Sequence, residues 1–505
     1  MSARILDTPG TWWVRERVDE AAVLVDAEDY YAMFHACAER AQRSILVAGW
    51  QFDSEVALLR GDEATGRGEV RLLRFLNQLC ERNPALRIHI LAWDFSVVFS
   101  MEREWLQRVA FDWRTHHNLR FEFDACVIAE GSHHQKFAVV DESIAFVGGT
   151  DLCDHRWDRR DHREPDDLRR DLDGHPYPPY HEVHSYFTGP AVRPLVSFFR
   201  RRWACAASEE LELSAPPAPL ELPTRRGLPL ATREVAIART EAAGEAGPCE
   251  EIRTQLVTAI AAAERLIYAE TQYLTARAVE DALVARMRDR TLPILDVIFV
   301  IPETTEAFKE TVAVGVSQAR LIERVRSVAR ETGHHLGFYV TVAPGASKDG
   351  HDVATYIHSK VMVVDDRFLT LGSANLANRS MGVDTELNLA FEADGPESEA
   401  SIRAVRVSLL AEHLGARDEE IPELTASRGL VARLDAACRA RTHRLRFFAG
   451  KDPSAEDPVL SVVHAGLSQY LDPETPMLEA AMESPAAWGD MLARSVARLR
   501  ELFGR

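Results

Sequence analysis

"SHHQKFAVVDESIAFVGGTDL" at residues 132–152 and "YIHSKVMVVDDRFLTLGSANL" at 356–376 decide how this chain is read. At a constant offset of 224, His134 falls on His358, Lys136 on Lys360, Asp141 on Asp365 and Gly148 on Gly372. Upstream, "RSILVAGWQF" (43–52) matches "RLIYAETQYL" (265–274), which sets Gln51 on Gln272 at an offset of 221. A period this long is duplication of a domain-sized unit, not a solenoid repeat. In each copy short apolar runs, typical of strands buried on both faces, alternate with segments of helical periodicity. Asp26 or Asp29 is placed to cap the first helix. The alternation predicts a layered α/β sheet in each half.

Domain boundaries follow from where the repeat starts and stops. The first α/β domain is read as 1–213 and the second as 231–415. "SAPPAPLELPTRRGLPL" (214–230), with five prolines, is read as a linker. Residues 416–505 have no counterpart in the first half and read as a helical C-terminal appendage. "DHRWDRRDHREPDDLRRDLDGHPYPP" (154–179) is dense in both charge signs. It reads as a solvated loop, with a lid over a cleft as the other reading.

Composition narrows the function. The chain of 505 residues is 46% apolar and 27% charged, as globular proteins are, and its 59 Lys and Arg face 78 Asp and Glu for a net charge of −19. With no Lys/Arg block, such a chain repels polyanions, so a dedicated nucleic-acid partner is disfavoured. The seven cysteines are widely spaced, with no C-x-x-C, and are expected to be reduced, mostly buried thiols. "MSARILDTPGTWW" does not read as a signal peptide. The strongest apolar run, "LPILDVIFVI" (292–301), contains Asp296 and falls short of the ~18 residues a span requires. A cytoplasmic protein touching membranes only from outside is expected.

Residues two apart on a strand project to one side, so His134 goes with Lys136 and His358 with Lys360. The lysine charge suits non-bridging phosphate oxygens, and an imidazole attacks phosphorus or carries a proton near neutrality. Two pairs brought together by the duplication supply a nucleophile and a proton donor on opposite sides of one phosphate. Asp141 and Asp365, an odd seven residues on, read as anchors near the strand ends. Each histidine also needs a carboxylate on its other ring nitrogen. Asp158, 24 residues after His134, and Glu386, 28 after His358, are the candidates. Asn375 is placed to donate its amide to a phosphate oxygen.

Both stretches match the H-x-K-x(4)-D signature of the phospholipase D superfamily. "GSANLANRSMGVDTELN" (372–388) is similar to the family's downstream segment, and "GGTDLCDHRWD" (148–158) resembles the phospholipases more than the small nucleases. The resemblance covers roughly residues 12–415. It implies two pseudo-symmetric α/β/α sandwich domains and a phosphohistidine mechanism that needs no metal or cofactor. By that analogy His134 attacks phosphorus, His358 protonates the departing alcohol and then activates water, and Lys136, Lys360 and Asn375 hold the phosphoryl oxygens. The first copy departs from the second in carrying Asp151 where the second has Asn375. The expected activity is hydrolysis or head-group exchange of glycerophospholipids by a monomer in peripheral contact with membranes. The rivals are a cardiolipin synthase-like transferase, a nuclease or other phosphodiesterase, and an inactive binding module. "HEVH" (181–184) invites a metal reading, but extended structure after a proline-rich loop and the lack of a nearby cysteine pair to complete a ligand set favour a structural role or one supporting a neighbouring group.

Overall fold

Every residue is buried in the central runs of both copies, which is why short apolar segments without alternation form strands here. In the first half these are Ser44–Gly49, Phe137–Val140 and Ile144–Gly148. In the second they are Leu266–Glu270, Val361–Val364 and Phe368–Gly372. The computed structural model describes residues 4–94, 115–450 and 472–476, apart from 67, 129, 215–217, 245–246, 305–307 and 348.

The two sheets share one strand order. In the first it runs Ala21–Val25, Val183–Thr188, Ile144–Gly148, Phe137–Val140, Ser44–Gly49, Arg87–Trp93, Leu119–Asp124. In the second it runs Glu234–Glu241, Glu386–Glu392, Phe368–Gly372, Val361–Val364, Leu266–Glu270, Asp296–Val300, His335–Ala343. In both, the last three strands are parallel and the other pairings antiparallel. Each sheet carries helices on both faces. Asp26–Ala38 and Leu72–Arg82 pack on the outer face of the first, and Glu251–Ala261 and Arg277–Arg288 on that of the second. Between the sheets, one apolar cluster mixes Val147, Val183 and Phe199 with Leu371, Leu387 and Leu410. Each such side chain contributes about 1.5–3 kcal/mol on full burial, so the halves are held together by core and not by a linker.

Several boundaries differ from the sequence reading. Val14–Arg17 pairs with Glu234–Glu241, and Ile5 and Leu6 enter the second half's core. The start of the chain therefore belongs to the second sheet, because the edge strand there offers unpaired backbone groups and an apolar slot. Conversely Leu228–Pro229, at the end of the proline-rich segment, extends the first sheet's edge, where a proline is tolerated. The appendage is not detached at its start: Leu430–Ala440 packs on the second sheet and Leu445–Phe447 pairs with His335–Ala343. Its remainder lies outside the described residues except for 472–476.

The charged insert is only partly a solvated loop: residues 172–176 are exposed, but Trp157, Asp158, His162, Asp166 and Arg169 are buried, the charged ones among paired groups, as in Arg169 to Asp158 at 2.9 Å. Nor are all the thiols reduced: Cys126 and Cys205, 79 residues apart, form a disulfide with Cα atoms 6.3 Å apart. Asp26 does not cap its helix, whose first turn has no side-chain cap. Among the described residues no helix is long and apolar enough to cross a membrane.

Candidate active site

The site is aligned from its far end. The turns at Asp141-Glu142 and Asp365-Asp366 place all four residues at positive φ, between 50° and 59°, as the two central positions of a type I′ turn require. Asp141 accepts hydrogen bonds from the backbone N–H groups of Gln42, Arg43 and Ser44 at 2.7, 2.7 and 2.9 Å. Asp365 accepts from Glu264, Arg265 and Leu266 at 2.7, 2.7 and 2.8 Å. Neither aspartate touches a histidine. They fix each hairpin to the start of the neighbouring strand, and so fix where the other end of the hairpin projects its His and Lys.

At that other end the halves cross. The backbone N–H of His134 donates to Thr385 O at 3.0 Å, and that of His358 to His181 O at 2.9 Å. The next residue in each crossing strand is a glutamate. Nδ1 of His134 lies 2.9 Å from Glu386 Oε2, and Nδ1 of His358 contacts Glu182 Oε2. Each imidazole is thus oriented by a carboxylate of the opposite repeat. This corrects two sequence assignments. Glu386 serves His134, not the histidine of its own half. Asp158 serves neither, being occupied by His162 at 2.9 Å, Arg169 at 2.9 Å and the Tyr180 N–H at 2.8 Å.

Sequence reasoning missed Glu182. Gly148 to Glu182 is 34 residues and Gly372 to Glu386 is 14, so the charged insert pushes Glu182 twenty residues out of register. The signal was the match of "HEVHSYF" (181–187) with "TELNLAF" (385–391). Gly149 explains how Glu182 reaches in, since a Cβ there would lie 2.5 Å from Glu182 Oε1.

The lysines are held differently. Lys136 Nζ lies 2.9 Å from Asp151 Oδ2 and 5.9 Å from the Trp50 ring centroid. Lys360 Nζ lies 2.9 Å from His358 Nδ1, donates to the His358 carbonyl and sits 4.0 Å from Glu182. Asn375 is buried; its Nδ2 donates to Gln272 Oε1 at 3.4 Å and its Oδ1 has no hydrogen-bond partner. Gln272 also donates to Tyr356 OH at 2.8 Å, and the rings of Tyr180 and Tyr356 flank His358 at 5.5 and 6.4 Å.

Burial dominates the electrostatics of the second pair. It pushes the Glu182 carboxyl up to about 7, against the pull of Lys360. It brings Lys360 down to about 8, partly offset by Glu182. His358 is held well below its ordinary value by burial, with repulsion from Lys360, Arg156, Lys136 and His134 added. Lys136 and His134 are among the charges that act on His358, so the two motifs lie near one another. The motif residues belong to neither of the two buried groups of potential metal ligands among the described residues. Two imidazoles with oriented Nδ1 atoms leave two Nε2 atoms for attack and proton transfer, among cations that suit an anionic phosphodiester.

The family model described as phospholipase D matches residues 37–224 and 339–442. Phospholipase D alpha 2 of Oryza sativa subsp. japonica is 25% identical over 510 residues, spanning 74% of this chain and 62% of that protein. Phospholipase D alpha 3 of Arabidopsis thaliana is 24% identical over 506 residues, spanning 74% of this chain and 62% of that protein. The chain therefore aligns with under two thirds of these relatives' length. Among solved structures, phosphatidylserine synthase of Haemophilus influenzae Rd KW20 is similar with a TM-score of 0.52 and 13% identity. The likeness covers 85% of this chain and 96% of that one, and is one of fold alone.

Proposed function

The chain belongs to the phospholipase D family, and from that premise we propose that it is a phosphodiesterase that cleaves glycerophospholipids through a phosphohistidine. The observation that carries this reading is the crossed pairing of His134 with Glu386 and of His358 with Glu182. In the first step His134 Nε2 forms a bond to phosphorus, the bond to the head-group oxygen breaks, and His358 gives that oxygen a proton. In the second, His358 takes a proton from water, the water oxygen bonds to phosphorus, and the phosphorus–nitrogen bond breaks. Lys136, Lys360 and Asn375 hold the non-bridging oxygens.

Without substrate His358 is kept neutral, by burial first and by surrounding cations second. A phosphodiester anion among Lys136, Lys360 and Arg156 cancels that repulsion, so binding itself raises the proton affinity of the acid. The substrate is met at a membrane surface, and a single chain completes the site because both half-sites lie on it.

The test is a purified-protein assay on phosphatidylcholine, phosphatidylglycerol and single-stranded DNA, with and without ethanol and EDTA. Release of head group, with phosphatidylethanol formed when ethanol is present, supports the reading. Cleavage of DNA without lipid turnover overturns it.

A further inference from the structure

Behind the catalytic strands lies a second group of chemistry-bearing residues that takes no part in the proposed reaction. Asp26 starts the helix Asp26–Ala38, His162 comes from the charged insert, His181 precedes Glu182, and Glu412 lies on the helix Pro396–Leu414. Their side chains are 0–2% exposed. We propose that Asp26, His162, His181 and Glu412 form a structural site for one divalent transition-metal ion of the zinc type, clamping the two halves together.

Geometry carries the argument. His181 Nδ1 is 3.1 Å from Asp26 Oδ1 and 2.8 Å from Glu412 Oε1. His162 Nε2 is 3.1 Å from Glu412 Oε1 and 3.7 Å from Asp26 Oδ2. Ligands about 2.0–2.2 Å from a tetrahedral zinc ion stand roughly 3.4 Å from each other, and the observed separations straddle that value. The outward ring nitrogens fit as well. His162 Nδ1 lies 2.9 Å from Asp158 Oδ2, and His181 Nε2 lies 3.0 Å from Glu270 Oε2. Metal-bound histidines characteristically give their second N–H to a carboxylate in this way.

An independent sign points inward. Asp26 Oδ2 is buried with no hydrogen-bond partner, an arrangement that is costly without a ligand. A pair of imidazoles selects a zinc-type ion over calcium or magnesium.

The ligands come from distant segments, three from the first half and Glu412 from the second. The ion would also brace the reaction centre without touching phosphate. His181 O accepts the His358 N–H at 2.9 Å, and Asp26 Oδ1 accepts the Glu182 N–H at 3.1 Å.

The 505-residue chain is stripped by chelator dialysis and titrated with Zn²⁺ and, separately, Co²⁺. The expected result is one Zn²⁺ per chain retained through gel filtration, a rise in Tm on reloading, and the intense visible absorption of tetrahedral Co²⁺. His162→Gln and Glu412→Gln should lose the bound ion, while His134→Gln should keep it. A stripped wild-type chain that takes up neither ion, or Co²⁺ bound only with weak octahedral absorption, overturns the proposal even if the variants fail to fold. Variants that bind Zn²⁺ as wild type does overturn it too. The lipid assay does not enter into this outcome, so the site stands or falls apart from the proposed activity.

Discussion

The two half-sites share a plan and differ in their surroundings. His134 keeps 18% of its side chain exposed and leans on Glu386, which also accepts hydroxyl hydrogen bonds from Ser373 and Ser380. His358 is 9% exposed and leans on Glu182, which sits beside Gly149 where the other copy has Ser373 and accepts the Val183 N–H instead. Lys136 is answered by Asp151 at 2.9 Å, while the Glu182 carboxylate nearest Lys360 is 4.0 Å away. Duplication thus preserved the reacting atoms and let the second layer diverge. His134 is the more exposed of the two, and His358 lies in a drier, more cationic setting.

The largest expected effect comes from cutting the crossed pairs. Glu386→Gln and Glu182→Gln should each lower kcat about 10²–10⁴-fold in the lipid assay, the range for losing the group that orients a catalytic imidazole. Asp158→Asn should lower kcat far less. If Asp158→Asn and not Glu386→Gln silences the enzyme, the crossing is wrong. The pH profile of kcat/KM sharpens the contrast. Glu182, pushed up to about 7, gains a proton below that pH, and Lys360, brought down to about 8, loses its charge above it. Activity should peak between the two, and Glu182→Gln should flatten the acid limb while Glu386→Gln leaves it in place.

Next in size are the anchors, where the halves should behave alike. Asp141→Ala and Asp365→Ala each leave three backbone N–H groups without a charged acceptor. Each should cost about 3–5 kcal/mol in urea unfolding, with kcat of the folded fraction changed less than about tenfold. A loss of kcat without loss of stability would make them participants in the chemistry.

The smallest effect is a stability difference confined to one half. The folded value for Glu182, about 7, lies above its ordinary 4.5. Its contribution to stability is therefore fully present below about 4.5 and is lost as pH rises through about 7. Glu182→Gln should leave Tm unchanged near pH 4.5 and raise stability at pH 8 by about 3 kcal/mol or less. A variant less stable than wild type at pH 8 would contradict the burial argument.

Much of this was legible in the chain. Apolar runs and a constant offset expose the hairpins, and the two-residue spacing puts each His with its Lys. What stayed hidden depends on contacts between segments far apart in sequence. Counting forward from His134 selects Asp158, because linear distance carries no record of strands crossing between repeats. The insert displaced Glu182, and its charges looked like those of a solvated loop until they paired inside. The strand Val14–Arg17 joins the far sheet for the same reason: edge pairing follows geometry, not order along the chain. Cys126 and Cys205 meet because the end of one strand abuts a helix formed much later in sequence.

The central claim is that two imidazoles, 224 residues apart, act on one phosphorus atom with divided roles. The most direct measurement is acid-quench trapping of labelled phosphoenzyme from ³²P-phospholipid in wild type, His134→Ala and His358→Ala. We expect no label on His134→Ala, and slowly forming or slowly discharged label on His358→Ala. Equal labelling of both variants, or normal turnover by either, would contradict it.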